Sequence, residues 1–371
     1  MTNVKGQMQD NRTPEFANFD ICVIGGGPAG LEAAIVARSL GAKVVIVDDN
    51  PVLGGQLIKQ THKFFGSKEH YCGVRGVNIA EILSSEVHAQ NIKVLNNATV
   101  VGYYDDDIIG VLKEDRLFPV KAKVYIFATG ASENMLAFDN ADLPGVYGAG
   151  AVQTMMNVYG VVPGKRAVVI GSGNIGLIVP YQLLQAGVEV AAIIEIMDKV
   201  GGYYVHAAKI KRAAIPIILK HTIIEAQGKD CVEAARISEV GGKYECLLGT
   251  EKTIDCDMIL IAIGLSPLCE LLYHAGCRID YVPELGGHVP YHTEDMVTTK
   301  ENVFVCGDLA CIEEASTAML EGKIAGAKAY EALYGRNRKS EEVANQAKHE
   351  LAVIRSSPFE ERILYGLGKL K

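Results

Sequence analysis

The chain alternates between short, uniformly apolar runs and longer stretches whose apolar residues recur every three to four positions. Ile21-Cys22-Val23-Ile24 is a run of the first kind and is followed at once by glycines. A continuous apolar run of that length, bounded by glycine, predicts a buried strand over 19–24. Residues 28–40 carry Leu31, Ala34, Ile35 and Ala37 on one side and predict a helix, closed by Gly41. Lys43-Val44-Val45-Ile46-Val47 is the next strand and ends at Asp48-Asp49. The same order recurs later: Ala167-Val168-Val169-Ile170, a helix roughly within 175–186, Gly187 as its stop, then Val190-Ala191-Ala192-Ile193-Ile194 ending at Glu195. Pro180 should make this second helix bend or start late, because proline removes a hydrogen bond from the ladder.

Between the two repeats, residues 92–95, 99–103, 108–111 and 118–120 alternate in hydrophobicity and predict a small antiparallel meander. It leads into a strand over 123–130 that ends in Thr129-Gly130. Residues 139–165 are rich in glycine and turn signals and read as an interdomain connection. Ile259–Gly264 mirrors the 124–130 strand, and 278–299 is a second meander-like stretch. Val303-Phe304-Val305 ends at Cys306-Gly307-Asp308, and a helix is predicted over roughly 313–333. Residues 335–371 are polar, mixed in charge and without a motif. Strands alternating with helices predict an α/β fold built on parallel sheets.

The turn after each first strand carries the candidate chemistry. The turns are Gly25-Gly26-Gly27-Pro28-Ala29-Gly30 and Gly171-Ser172-Gly173-Asn174-Ile175-Gly176. In a strand–turn–helix setting, the first glycine permits the tight turn and the second lets the backbone approach a pyrophosphate. The third allows close helix–strand packing. The anion then rests on the free N–H groups of the helix start. Gly25, Gly27, Pro28, Ala29 and Gly30 form one such set, and Gly171, Gly173, Asn174, Ile175 and Gly176 the other. Asp48 or Asp49 would accept from an adenosine ribose; counting from the first glycine favours Asp48 and leaves Asp49 open. Glu195 at the equivalent place favours NAD over NADP, since an acid binds the ribose 2′-OH and repels a 2′-phosphate. Two such turns predict two bound dinucleotides.

Bulk properties narrow the field. The 371 residues allow two or three domains, and 49% hydrophobic content is ample for their cores. A net charge of −8 without a basic run argues against nucleic acid. No apolar run is long enough for a transmembrane segment. Residues 1–18 read as a flexible lead-in to a cytoplasmic protein. Nine scattered cysteines fit a reduced compartment. Cys306 and Cys311, at C-x4-C spacing, read as small core residues, so no metal site is expected.

Taken together, the two turns, Thr129-Gly130, Ile263-Gly264 and Gly307-Asp308 resemble, in that order, the flavoproteins with two dinucleotide-binding domains, which include thioredoxin and glutathione reductases. The resemblance covers about 19–334. It implies two Rossmann-like, three-layer ββα domains, the second inserted in the first. Residues 19–138 and 266–334 would bind FAD, 139–265 would bind NAD, and 335–371 would be a tail available to a partner. It further implies that Asp308 bonds the ribityl or pyrophosphate region and that the helix start at Ala315 faces the flavin C2 carbonyl. Gly55-Gln56 would pass beside the isoalloxazine and Val100 would lie against adenine. Thr129, Gly130 and Gly264 are the family's strand-end markers.

One departure is informative. Disulfide reductases of this class carry a dithiol either after the Gly-Gly segment or just before the second turn. Here those stretches are Gly54–Lys63 and Ala151–Met156, and neither contains cysteine. Residues 54–66 and 201–209 are instead similar to the sarcosine oxidase α-subunit-like branch, which includes flavoprotein subunits of proline, hydroxyproline and opine dehydrogenases. That similarity implies an FAD-dependent NAD oxidoreductase working in a hetero-oligomer. Its partners would be an amine-oxidising flavoprotein subunit, plus a [2Fe-2S] ferredoxin-like subunit. The alternatives are a free-standing NADH-dependent reductase of a small acceptor, and a nucleotide-binding subunit whose second site is silent. Hydride transfer depends on orientation more than on a proton-transfer side chain, so His62 and His206 read as structural and no catalytic residue is named.

Overall fold

A computed structural model describes residues 17–64 and 67–370. Most of the expected N-terminal lead lies outside the described residues, and the first strand already begins at Ala17. The chain forms two compact units. Unit 1 contains residues up to 57, 79–131 and 267 onward; unit 2 contains 58–78 and 132–266.

Unit 1 is built on a seven-stranded sheet. Lys93–Leu95, Val44–Val47, Ala17–Ile24 and Arg116–Phe127 lie side by side in parallel. The expected meander is only partly right. Residues 93–95 extend the parallel sheet, and the expected 118–120 and 123–130 segments merge into the single 12-residue strand Arg116–Phe127. The antiparallel part is Thr99–Tyr104, Ile108–Lys113 and the first half of that long strand. Its second half pairs in parallel with Val303–Val305, where the chain returns from unit 2. Side chains sort by the two-residue period of a strand. Cys22, Ile24, Val45, Val47, Tyr125 and Phe127 join one core with Tyr103, Ile109 and Val111.

The helices Pro28–Ser39 and Ala315–Tyr334 belong to the same unit and pack closely because glycine meets backbone. A Cβ on Gly322 would lie 2.9 Å from the Ala29 carbonyl carbon, and one on Gly326 3.0 Å from that of Ala33. The tail is helical: Arg338–Arg355 starts at a capping box between Asn337 and Ser340, and Glu361–Lys369 follows. Polar composition concealed these helices because each buries only a narrow stripe, such as Ala344, Ala347 and Leu351.

Unit 2 has a five-stranded parallel sheet in the order Ile217–Leu219, Glu189–Glu195, Arg166–Ile170, Met258–Ile261, Val146–Gly148. Ala167, Val169, Ile193, Met258 and Leu260 face the helices, against Val152, Leu177, Leu183 and Ile210. Val168, Ile170, Ala192, Ile194, Ile259 and Ile261 face the antiparallel strands, against Ile223, Ala226, Ala235 and Ile237. This is the expected ββα layering. The stretch 139–165 is not merely a connection: it supplies an edge strand and the helix Ala149–Asn157. The fingerprint helix starts on time, at Asn174, and runs to Gln185 with Pro180 inside it. The fold is therefore α/β with two Rossmann-like units. Among the described residues, no helix is long and apolar enough to cross a membrane.

Candidate functional site

Each glycine of the two turns has its own physical reason, and the reasons repeat between units. Gly25 and Gly171 sit at φ +105° and +102°, where side chains are strained. A Cβ there would also meet the carbonyl groups of Ala128 and Ala262, with the carbonyl carbons at 2.7 and 2.9 Å. Gly30 and Gly176 face the carbonyls of Gly25 and Gly171, and a Cβ would stand 3.1 and 2.9 Å from those carbonyl carbons.

The middle glycines differ. Gly27 and Gly173 have ordinary φ values of −75° and −66°. A Cβ on Gly173 meets nothing within 4 Å, and one on Gly27 meets only Gly55 Cα at 3.9 Å. Neither the backbone nor neighbouring protein requires glycine at these two places. Pro28 and Asn174 then open the helices, and no side-chain cap covers either N-terminus. Ala29 is buried and Ile175 packs on the unit 2 core. Helix starts without a side-chain cap, beneath an open cradle, fit a pyrophosphate.

The acids at the strand ends repeat too. The Gly26 N–H donates to Asp48 Oδ2, and the Asn50 N–H to Asp48 Oδ1 at 2.8 Å. In unit 2 the Ser172 N–H and hydroxyl donate to Glu195 Oε2 at 2.8 and 2.6 Å, and the Met197 N–H donates to Oε1 at 2.9 Å. Asp48 is the counterpart of Glu195. Asp49 is exposed and accepts from the Asn50 side chain.

A second element braces each turn; Gly55 was expected beside the flavin ring, but support of the turns by Gly54-Gly55 and by Gly201-Gly202 was not foreseen. The Gly54 N–H donates to the Gly26 carbonyl at 2.8 Å, and the Gly202 N–H to the Ser172 carbonyl at 2.8 Å. Each Gly-Gly pair lies against its turn so tightly that a Cβ on Gly55 would stand 2.7 Å from Gly27 Cα, and one on Gly202 2.9 Å from the Gly173 carbonyl carbon. Gly201 N–H donates to Ser172 Oγ at 3.1 Å, and Tyr203 N–H to Asn174 Oδ1 at 2.8 Å. The signal was a Gly-Gly pair at similar spacing after both fingerprints, Gly54-Gly55 and Gly201-Gly202.

The other expected residues fall as follows. Gln56 is exposed in the turn Gly55–Lys59, and Val100 is half-buried on Thr99–Tyr104. Thr129 Oγ1 donates to the Leu268 carbonyl at 3.0 Å, and Leu268 N–H to the Gly130 carbonyl at 3.0 Å, fastening the two ends of unit 1. Gly264 has φ +123° and its carbonyl accepts from Asn134 at 3.0 Å. Gly307, at φ +72°, opens a short 3₁₀ turn, and Ala315 is the first residue of the long helix. Asp308 is partly accessible yet enclosed by protein. Burial pushes its carboxyl up to about 7, reinforced by the Glu321, Glu314 and Glu313 carboxylates and opposed by a hydrogen bond from the Glu313 backbone.

Residues 19–322 match the pyridine nucleotide-disulphide oxidoreductase family. The chain belongs to that family. It is thereby an oxidoreductase of an FAD-using class. The alpha subunit of sarcosine oxidase from Rhizobium meliloti (strain 1021) is 30% identical over 276 residues, which are 70% of this chain and 26% of that relative. An opine oxidase subunit of Agrobacterium tumefaciens (strain Ach5) is 27% identical, over 83% of this chain and 64% of that relative. The chain thus spans less than two-thirds of either. Thioredoxin reductase of T. acidophilum shares the fold with a TM-score of 0.70 at 24% identity, covering 85% of this chain and 98% of that one. L-proline dehydrogenase from P. horikoshii does so at 0.66 and 21%, covering 89% and 59%.

Within a family named for disulphide chemistry, this member has no cysteine in either stretch expected to carry the dithiol. All nine cysteines are free. Cys306 and Cys311 are buried, and burial raises both thiols well above their ordinary range, which leaves them unreactive. The Ala149–Asn157 helix, which holds one of the two cysteine-free stretches, is capped by a carboxylate: Glu133 accepts from the Gly150 and Ala151 N–H groups at 2.6 and 3.1 Å. His62 and His206 meet edge to face in unit 2, with ring centroids 6.0 Å apart. Burial, then the nearby Lys209 cation, lowers both imidazoles to about 4, so both are neutral at physiological pH. Among the described residues, no cluster of three or more metal-ligating side chains occurs.

Proposed function

We propose that this chain is the FAD- and NAD-linked subunit of a complex that oxidises an amino acid or secondary amine. The observation that carries the reading is the duplicated cradle, whose middle glycines, Gly27 and Gly173, have open space where a dinucleotide backbone would pass.

On this reading, unit 1 holds FAD. Gly27 and the start of the Pro28–Ser39 helix take the pyrophosphate, and Asp48 takes the ribose. Gly55-Gln56, Asp308 and the first turn at Ala315 serve the ribityl and ring. Unit 2 holds NAD on Gly173 and the start of the Asn174–Gln185 helix, with Glu195 at the adenosine ribose. Pro180 stands past the first turn of that helix, outside the residues proposed to form the cradle, and this position supports a working second site. When bound, FAD supplies a two-electron centre that accepts or donates hydride. The chain's own residues bind and orient, and they neutralise pyrophosphate charge with backbone amides. No side chain is assigned a proton: His206 is buried, His62 is half-buried, and both imidazoles are held neutral.

The amine chemistry is assigned to a partner flavoprotein subunit, with a [2Fe-2S] ferredoxin-like subunit in the same cytoplasmic hetero-oligomer. Two named relatives are subunits of sarcosine and opine oxidases, which supports the multi-subunit part of this reading. Affinity isolation from the native host is expected to recover a second flavoprotein in fixed ratio, and a secondary amine should then reduce flavin in the complex but not in the isolated chain. Recovery as a lone chain that passes electrons from NADH to a small acceptor would replace this reading with the free-standing reductase.

A further inference from the structure

We infer that Arg355, at the end of the Arg338–Arg355 helix, is a positioning residue for the flavin-binding turn, holding Gly307-Asp308 through two carboxylates at once. One arm runs through Glu321: the guanidinium Nη2 donates to Glu321 Oε1 at 2.6 Å, and Glu321 Oε2 accepts the Gly307 N–H at 2.9 Å. The other arm runs through Glu313: Nε donates to both carboxylate oxygens at 3.1 Å, and Nη2 donates to Oε2. Glu313 in turn offers its backbone N–H to the Asp308 carboxylate.

The whole network is buried. Side-chain exposure is 9% for Arg355, 4% for Glu313 and 1% for Glu321. Two carboxylates and a cation removed from water are a poor way to gain net stability, since hydrophobic replacements often do as well. What the planar guanidinium provides is geometry: one fork fixes two carboxylates, and each fixes one side of a turn whose first residue must hold φ +72°. A tail helix remote in sequence thus sets the backbone beneath the cofactor. The inference rests on unit 1 being the FAD site.

The test titrates FAD into apo-protein of the wild type, Arg355→Lys and Arg355→Met, following flavin fluorescence and the visible spectrum, with far-ultraviolet dichroism to establish folding. The expected order of FAD dissociation constants is wild type, then Arg355→Lys at least fivefold weaker, then Arg355→Met at least tenfold weaker, with displaced flavin bands in both variants. Arg355→Lys keeps the charge but not the fork, so it decides the matter if Arg355→Met does not fold. Wild-type affinity and spectrum in a folded Arg355→Lys protein would overturn the inference. A wild-type protein that binds no FAD would instead remove the assignment of unit 1 itself.

Discussion

Replacing Gly322 with alanine is expected to destabilise unit 1 by at least about 2 kcal/mol, although alanine is the better helix former. Helix propensity alone favours alanine by about 1 kcal/mol. The added methyl carbon, however, would stand 2.9 Å from the Ala29 carbonyl carbon and closer still to its oxygen. That obstacle is helix backbone and cannot swing aside as a side-chain tip could, so the two helices must separate and lose packing along their length. Gly326→Ala meets the Ala33 carbonyl in the same way and should cost a similar amount. Because either change already parts the helices, the double variant should lose less than the sum of the two. Thermal melting followed by circular dichroism checks all three; unchanged melting would mean that the helices do not approach as described.

The same substitution at Gly173 is expected to leave folding untouched and abolish much of the nucleotide binding. Its Cβ would enter open space at an ordinary φ, so the melting temperature should match the wild type. The pyrophosphate, however, would have to approach over that methyl group. Gly173→Ala should therefore weaken NADH binding at least tenfold, about 1.4 kcal/mol, while FAD stays bound. Gly27→Ala should do the reverse, shedding FAD from a folded chain that still binds NADH. Binding by equilibrium fluorescence and flavin content after gel filtration separate the two effects. Retention of both nucleotides by both variants would remove the physical reason for the cradles.

These outcomes also explain what the sequence could reveal. Glycine leaves a local trace wherever the backbone turns at positive φ or is approached closely by protein, so the structural need for Gly25 and Gly30 and their counterparts Gly171 and Gly176 was legible from spacing alone. Gly27 and Gly173, by contrast, answer to no protein contact and rest on the proposed dinucleotides. Acids ending the second strand of each repeat were legible too; counting favoured Asp48 and left Asp49 open, and the hydrogen bonds from Gly26 and Asn50 make Asp48 the counterpart of Glu195. The Gly201-Gly202 brace was visible as a stretch but not as support for the second turn, since its contact with Ser172 is made only after the chain has passed through a helix and a strand. Arg355 was illegible. A lone arginine ending a polar helix has the pattern of a solvated face, and only folding brings it to Glu313 and Glu321. The segment 139–165 failed for a different reason: Val146–Gly148 is too short to show a period, and the Ala149–Asn157 helix begins among glycines. Glycine-rich composition there marks close packing around the Glu133 carboxylate, which lies 3.0 Å from where a Gly150 Cβ would be.

Whether the two cradles serve one hydride-transfer enzyme is tested most directly by anaerobic titration of the purified, FAD-containing chain with NADH, following the visible flavin absorbance. Stoichiometric bleaching by NADH is predicted, with NADPH needed at tenfold or higher concentration because Glu195 is the residue proposed to meet the adenosine ribose in the second cradle. An FAD-loaded protein whose flavin stays oxidised in excess NADH would contradict a working second cradle.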